Sequence, residues 1–135
     1  MIITILIEPI KTVGYLEEMR LIKMKSYNGF TPEQRMEGDR IIKQAIAEGK
    51  LEPAKECRVC GQRDGILHIH AEDYRPDKIL KNCRCLCWRC HMILHSRYRN
   101  RDAFLTYFRE VREGKKFLAV YKNDFSILRK EHGIN

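Results

Sequence analysis

Apolar positions along the chain change period several times, and the changes divide it into elements. Residues 2–7 (Ile-Ile-Thr-Ile-Leu-Ile) form an apolar run of strand length, a pattern a buried helix segment shares. Tyr15, Leu16, Met19 and Ile22 recur at helical spacing and predict an amphipathic helix, which Asn28-Gly29 breaks. Thr31-Pro32-Glu33-Gln34 predicts a new helix start, with Thr31 as N-cap, Pro32 at the first helical position and Gln34 completing a capping box. Ile41, Ile42, Ala45 and Ile46 supply that helix with an apolar face, and Gly49 with a stop.

Past Pro53 the pattern changes. Ile66 to His70 reads as a strand, and Cys87 to about Tyr98 as a knuckle running into a helix. Ala103, Phe104, Tyr107, Phe108 and Val111 mark an amphipathic helix ended by Gly114, and Phe117 to Tyr121 is a short apolar run. A last helix is predicted from Asp124 to Gly133. There is no internal repeat and no low-complexity tract. The expected class is α+β. An N-terminal strand and helical extension (1–52), a small central core (53–99) and a C-terminal helical segment (100–135) would form one compact domain.

Charge adds a partner to this picture. Twenty-six Lys and Arg against 18 Asp and Glu leave a net +8 in 135 residues. Such a balance in a chain of one-domain length points to a polyanion. Nucleic acid is preferred to a membrane, because no apolar run approaches the roughly 20 residues of a span. The run at 2–7 is shorter than a signal h-region and lacks a basic flank and a cleavage site, so a reducing cytoplasm is expected. In that compartment paired cysteines read as metal ligands rather than disulfides.

Residues 57–97 hold all six cysteines and four of the five histidines. Cys57-x-x-Cys60 and Cys87-x-x-Cys90 are two knuckle pairs, and four thiolates so arranged complete a tetrahedron around Zn²⁺. Cys83 and Cys85 alternate with Cys87, so a strand would put all three on one face. They read as a packed thiol and a bystander, although either could replace Cys87. His91 and His95 share one helix face at i, i+4, and His68 and His70 share one side of the strand before them. These four make a second cluster, whereas His132 is assigned a structural or solvated role.

The stretch from Cys57-x-x-Cys60 through Leu67-His68-Ile69-His70-Ala71-Glu72-Asp73-Tyr74, Pro76, Asn82 and Leu86-Cys87-x-x-Cys90-His91-x-x-x-His95 resembles the HNH, or ββα-metal, endonucleases, in a phage-type, zinc-stapled form. The resemblance implies a ββα-metal core and hydrolysis of DNA to 5′-phosphate and 3′-hydroxyl ends. It implies that His70, His91 and His95 hold a catalytic divalent ion, Mg²⁺, Mn²⁺ or another transition metal. Three imidazoles lean toward a transition metal. Asn82 is implied to brace the loop between the strands.

The departure is Ala71, which stands where the family places its general base, a histidine. A methyl group neither accepts a proton nor orients water. Three readings remain open: an inactivating His→Ala replacement, a form that kept only binding, or service by Glu72, Tyr74 or His68 instead. Around the gap, residues 75–101 carry eight cations against Asp77 alone. Arg84, Arg89, Arg97, Arg99 and Arg101 are the expected contacts to DNA, double-stranded by preference. Arg97, just past His95, could also stabilise charge on the scissile phosphate. The expected activity is a metal-dependent endonuclease with its base missing, and the alternative is a zinc-stapled DNA-binding module. Either could act as a monomer or a homodimer.

Overall fold

A computed structural model describes residues 24–134. The expected strand at 2–7 and the helical stripe from Tyr15 to Ile22 lie outside the described residues. Those described form an α+β arrangement of one two-stranded antiparallel sheet and five helices. They gather into two units, one of residues 24–51 and 72–82, the other of 52–71 and 83–134.

The first unit begins with a tight turn. Tyr27 and Phe30 exchange both backbone hydrogen bonds, at 3.0 and 2.9 Å. Asn28 (φ 53°) and Gly29 (φ 85°) supply the two positive φ values such a turn needs. Helix α1 (Pro32–Ala47) follows with the predicted capping box: Gln34 N donates to Thr31 Oγ1 at 3.1 Å and Thr31 N to Gln34 Oε1 at 2.8 Å. Its buried face is Met36, Gly38, Ile42 and Ala45, while Ile41 and Ile46 are half-buried. Gly38 matters because a Cβ there would lie 2.6 Å from Ile79 Cδ1 and 2.7 Å from Tyr74 Cδ1. Ile79, fully buried, opens the one-turn helix α2 (Ile79–Asn82).

In the second unit, β1 (Leu67–Ala71) pairs with β2 (Cys83–Cys87), with His70 opposite Arg84 and Ala71 opposite Cys83. Helix α3 (Trp88–His95) starts where β2 ends, and Cys87 is its N-cap. The helix stops earlier than the expected Tyr98 because Ser96 turns back on it, Oγ donating to the Ile93 carbonyl at 2.8 Å. Asn100 caps α4 (Arg101–Arg112), and Asp124 caps α5 (Phe125–His132), which ends on left-handed Gly133 (φ 67°). Leu86, Trp88, Ile93, Tyr107, Val120, Leu128 and Ile134 form the core with the buried cysteines. Gly65 allows the 117–121 run to close over it, since a Cβ there would lie 2.5 Å from the Val120 carbonyl oxygen. No helix among the described residues is long and apolar enough to cross a membrane.

His132 has the structural role expected of it. Its side chain is 7% exposed and sits edge-on to Tyr107 and Phe117, with ring centroids 5.3 and 5.1 Å away. Burial, and then the positive charge of Arg89, push its pKa below the ordinary 6.5. The unfolded chain therefore binds this proton more readily, so stability falls as pH drops through the unfolded value. His132→Phe is expected to retain more of its stability than the parent between about pH 7 and pH 5. Urea midpoints of both proteins at each pH measure the difference.

Candidate metal centres

Two sets of ligating side chains are built in the second unit. The first is the four cysteines. Cys57 opens a knuckle closed by Gly61 N donating to the Cys57 carbonyl at 3.0 Å, with Gly61 at φ 80°. The knuckle is tied to β2 by Arg58 N donating to the Cys85 carbonyl at 2.9 Å. Cys60 N points at Cys57 Sγ (3.5 Å) and Cys90 N at Cys87 Sγ (3.4 Å), so each pair aims backbone donors at its leading sulfur. Cys60 Sγ and Cys87 Sγ are 3.6 Å apart, and all four sulfurs lie within 4.8 Å of one another. Cys57, Cys87 and Cys90 are buried, and no disulfide joins any of the six cysteines.

Hydrogen bonds from Cys60, then Cys87 and Cys90, push the Cys57 pKa down. Contacts with Cys57, Cys60 and Cys87, and then burial, push Cys90 up. Without a cation, one thiolate forms at the expense of its neighbours. A divalent cation removes the conflict by stabilising four anions together, so the donor set fits a metal ion. The Tyr107 hydroxyl, fully buried, completes the surroundings as it meets Cys90 Sγ at 2.9 Å. Cys83 and Cys85 stay outside the set, and burial raises both thiols.

The second set is three histidines. Strand alternation puts His68 and His70 on one face of β1, and α3 brings His91 and His95 to them. His91 Nε2 lies 3.2 Å from His70 Nδ1 and 3.0 Å from His95 Nε2. One ring nitrogen from each of the three falls within 4.8 Å of the other two. A ring nitrogen offers one proton or one lone pair. His91 Nε2 therefore cannot satisfy both neighbours with neutral rings, whereas a cation accepting three lone pairs can. This donor set also fits a metal ion. His68 Nδ1 adds a contact at 2.8 Å to the other nitrogen of His91, and burial lowers the His68 pKa.

The remaining expected residues divide. Asn82 ties residues 72–82 together: Oδ1 accepts from Glu72 N (3.1 Å) and Asp73 N (2.9 Å), and Nδ2 donates to the carbonyls of Asp73 (3.0 Å) and Lys78 (2.8 Å). Ala71, 2% exposed, ends β1 with a buried methyl group. Of the groups considered as substitutes for a base, Glu72 accepts from the Tyr27 hydroxyl, and the Tyr74 hydroxyl lies 3.5 Å from Arg35 Nη2. Arg84, Arg99 and Arg101 are exposed, and Arg84 is the cross-strand partner of His70. Arg97 donates to the Leu94 carbonyl at 2.8 Å and lies over the Tyr98 ring at 4.7 Å.

Arg89 overturns its expectation. It is 1% exposed, donates to the Leu118 carbonyl and to both oxygens of Glu131 (3.2 and 3.1 Å), and lies over Phe117. A charge this deep persists only when paired, and its partners are internal, so it is a core residue rather than a phosphate contact. The signal missing from the sequence was its partner, because Glu131 is 42 residues away. Tyr107 was legible only as part of an apolar stripe.

No family model matches the chain, and neither does any curated protein or solved structure compared with it.

The cysteine geometry makes a direct prediction. Purified protein should hold about one tightly bound ion per chain at this set, and Cys57→Ser or Cys90→Ser should lose it and unfold the second unit. Thiols must ionise to bind, so retention should fall as pH is lowered. Elemental analysis and circular dichroism after dialysis against chelator read both.

Proposed function

We propose that the chain is a metal-dependent DNA endonuclease of the HNH, ββα-metal kind, with its core in β1, β2 and α3. The observation that carries this reading is the convergence of His70 with His91 and His95 from strand and helix, beside a four-cysteine set in the same unit. Cys57, Cys60, Cys87 and Cys90 would hold Zn²⁺ as a structural ion, a role that sulfur-only tetrahedral sites fill. His70, His91 and His95 would hold the catalytic ion, and three imidazoles favour a transition metal such as Mn²⁺. Such an ion would supply charge stabilisation to a phosphate under attack and to its departing 3′ oxygen.

The chain's own residues do the rest. Arg84, exposed and across the ladder from His70, would bind a backbone phosphate. Arg99 and Arg101 extend the basic track, whose contacts bind with salt-dependent, sequence-independent affinity. Asn82 holds the loop between the strands in one conformation. Water activation lacks its usual group, because Ala71 has no proton acceptor. Hydrolysis would leave 5′-phosphate and 3′-hydroxyl ends, and one site cuts one strand.

The buried methyl of Ala71 favours a second reading, a zinc-stapled module that binds DNA without cutting it. Plasmid nicking in Mn²⁺ or Mg²⁺ separates the two. Ala71→His should raise the nicking rate by about 10²–10⁴-fold, and adding His91→Ala should abolish it while DNA binding survives. An Ala71→His protein that cuts no faster than a parent that itself cuts removes the idea of a lost base. A folded Ala71→His protein that does not cut, beside a parent that does not cut, defeats the nuclease reading and leaves the binding module.

A further inference from the structure

We infer that His68 is the positioning residue of the three-histidine centre, holding the His91 ring so that its Nε2 faces the ion. The inference rests on the reading that His70, His91 and His95 hold a metal. The two nitrogens of His91 have different company. Nε2 meets His70 Nδ1 and His95 Nε2, and Nδ1 meets His68 Nδ1 at 2.8 Å. The two rings stand edge to face, with centroids 5.0 Å apart.

Proton accounting makes this contact directional. To give a lone pair to an ion, Nε2 of His91 must be unprotonated, so the proton of the neutral ring sits on Nδ1. The 2.8 Å contact requires one proton between its two nitrogens, and this is that proton. His91 Nδ1–H therefore donates to His68 Nδ1, and His68 carries its own proton on Nε2. One hydrogen bond thus fixes the tautomer of His91 and the rotation of its ring. A metal-bound histidine commonly gives its outer N–H to a carboxylate or carbonyl, and here an imidazole takes it. Strand alternation explains why the partner comes from β1. His68 is two residues before His70 on the same face, so the strand that supplies a ligand also supplies the brace for the helix ligand.

The test uses the full chain with its cysteine site loaded with zinc. Co²⁺ is titrated in, and its visible absorption reports the histidine centre. A thiolate-to-cobalt band would report exchange into the cysteines. His68→Leu removes the acceptor and should weaken Co²⁺ binding about 10–100-fold, while His68→Gln, whose Oε1 can accept from His91 Nδ1–H, should recover most of it. Long-range proton–nitrogen spectra of the unsubstituted chain with diamagnetic Zn²⁺ at both centres should show His91 protonated at Nδ1 and His68 at Nε2.

A folded His68→Leu protein that binds Co²⁺ as the parent does overturns the positioning role and leaves the metal centre standing. A parent chain that takes up no second ion removes the centre itself, and this role with it. If the leucine variant does not fold, the spectra of the parent decide: a proton on His91 Nε2 overturns the inference.

Discussion

Four sulfur atoms from two distant stretches of chain meet around one point, and the rest of the second unit is arranged by that meeting. Thiols this close and this buried cannot all ionise without a cation among them, so the cluster carries a demand for charge that hydrophobic packing alone cannot meet. Cys87 shows how far the demand reaches. It ends β2, caps α3 and belongs to the sulfur set. Fixing its sulfur fixes where the strand stops and the helix begins. Cys90 then fixes the helix's rotation, and His91 and His95 follow from it by covalent geometry. The histidine centre inherits its precision from the cysteine centre.

Helix α3 is short, and short helices owe their stability to tertiary packing. Its buried residues are Trp88, Arg89, Cys90 and Ile93, and two of the four, Arg89 and Cys90, are polar or ionisable. Both find partners outside the helix. Cys90 meets the Tyr107 hydroxyl on α4, and Arg89 pairs with Glu131 on α5. Satisfied polar contacts of this kind are directional, which an apolar face is not. They orient α3 as well as bury it, and that orientation turns the other side of the helix toward His68 and His70.

Local chemistry was legible in the sequence wherever cause and effect lie a few residues apart. The capping box at Thr31, the Asp124 cap and Gly133 stop, and the two knuckles are all short-range devices, and each stands where its residues require. Strand alternation placed His68 beside His70 on one face. Long-range pairing was not legible. Arg89 sits among seven other cations between residues 75 and 101, and nothing near it in sequence distinguishes a core arginine from a surface one. Gly38 looks like a weak point in a helix until Ile79 and Tyr74 are seen against it. Tyr107 counts as apolar in any periodicity, so its hydroxyl is invisible until Cys90 lies beside it. The contact from His68 to His91 required the crossing of a strand and a helix that share no sequence neighbourhood.

Holding an ion and activating water are separable tasks, and in the proposed reading this chain separates them. The proposed ligands come from β1 and α3 and are all present, while the expected base position is a methyl group at the end of β1. An ion at the histidines would still attract a phosphate and stabilise its transition state, because that term needs no proton acceptor in the protein. What is missing is the help given to the attacking water, about 3–5 kcal/mol if the base is worth 10²–10⁴-fold. The two proposed readings therefore differ by a barrier height on one scaffold, not by architecture. A centre that kept its ligands, their positioning residue and the arginine opposite His70 would bind DNA at the same place whether or not it cuts.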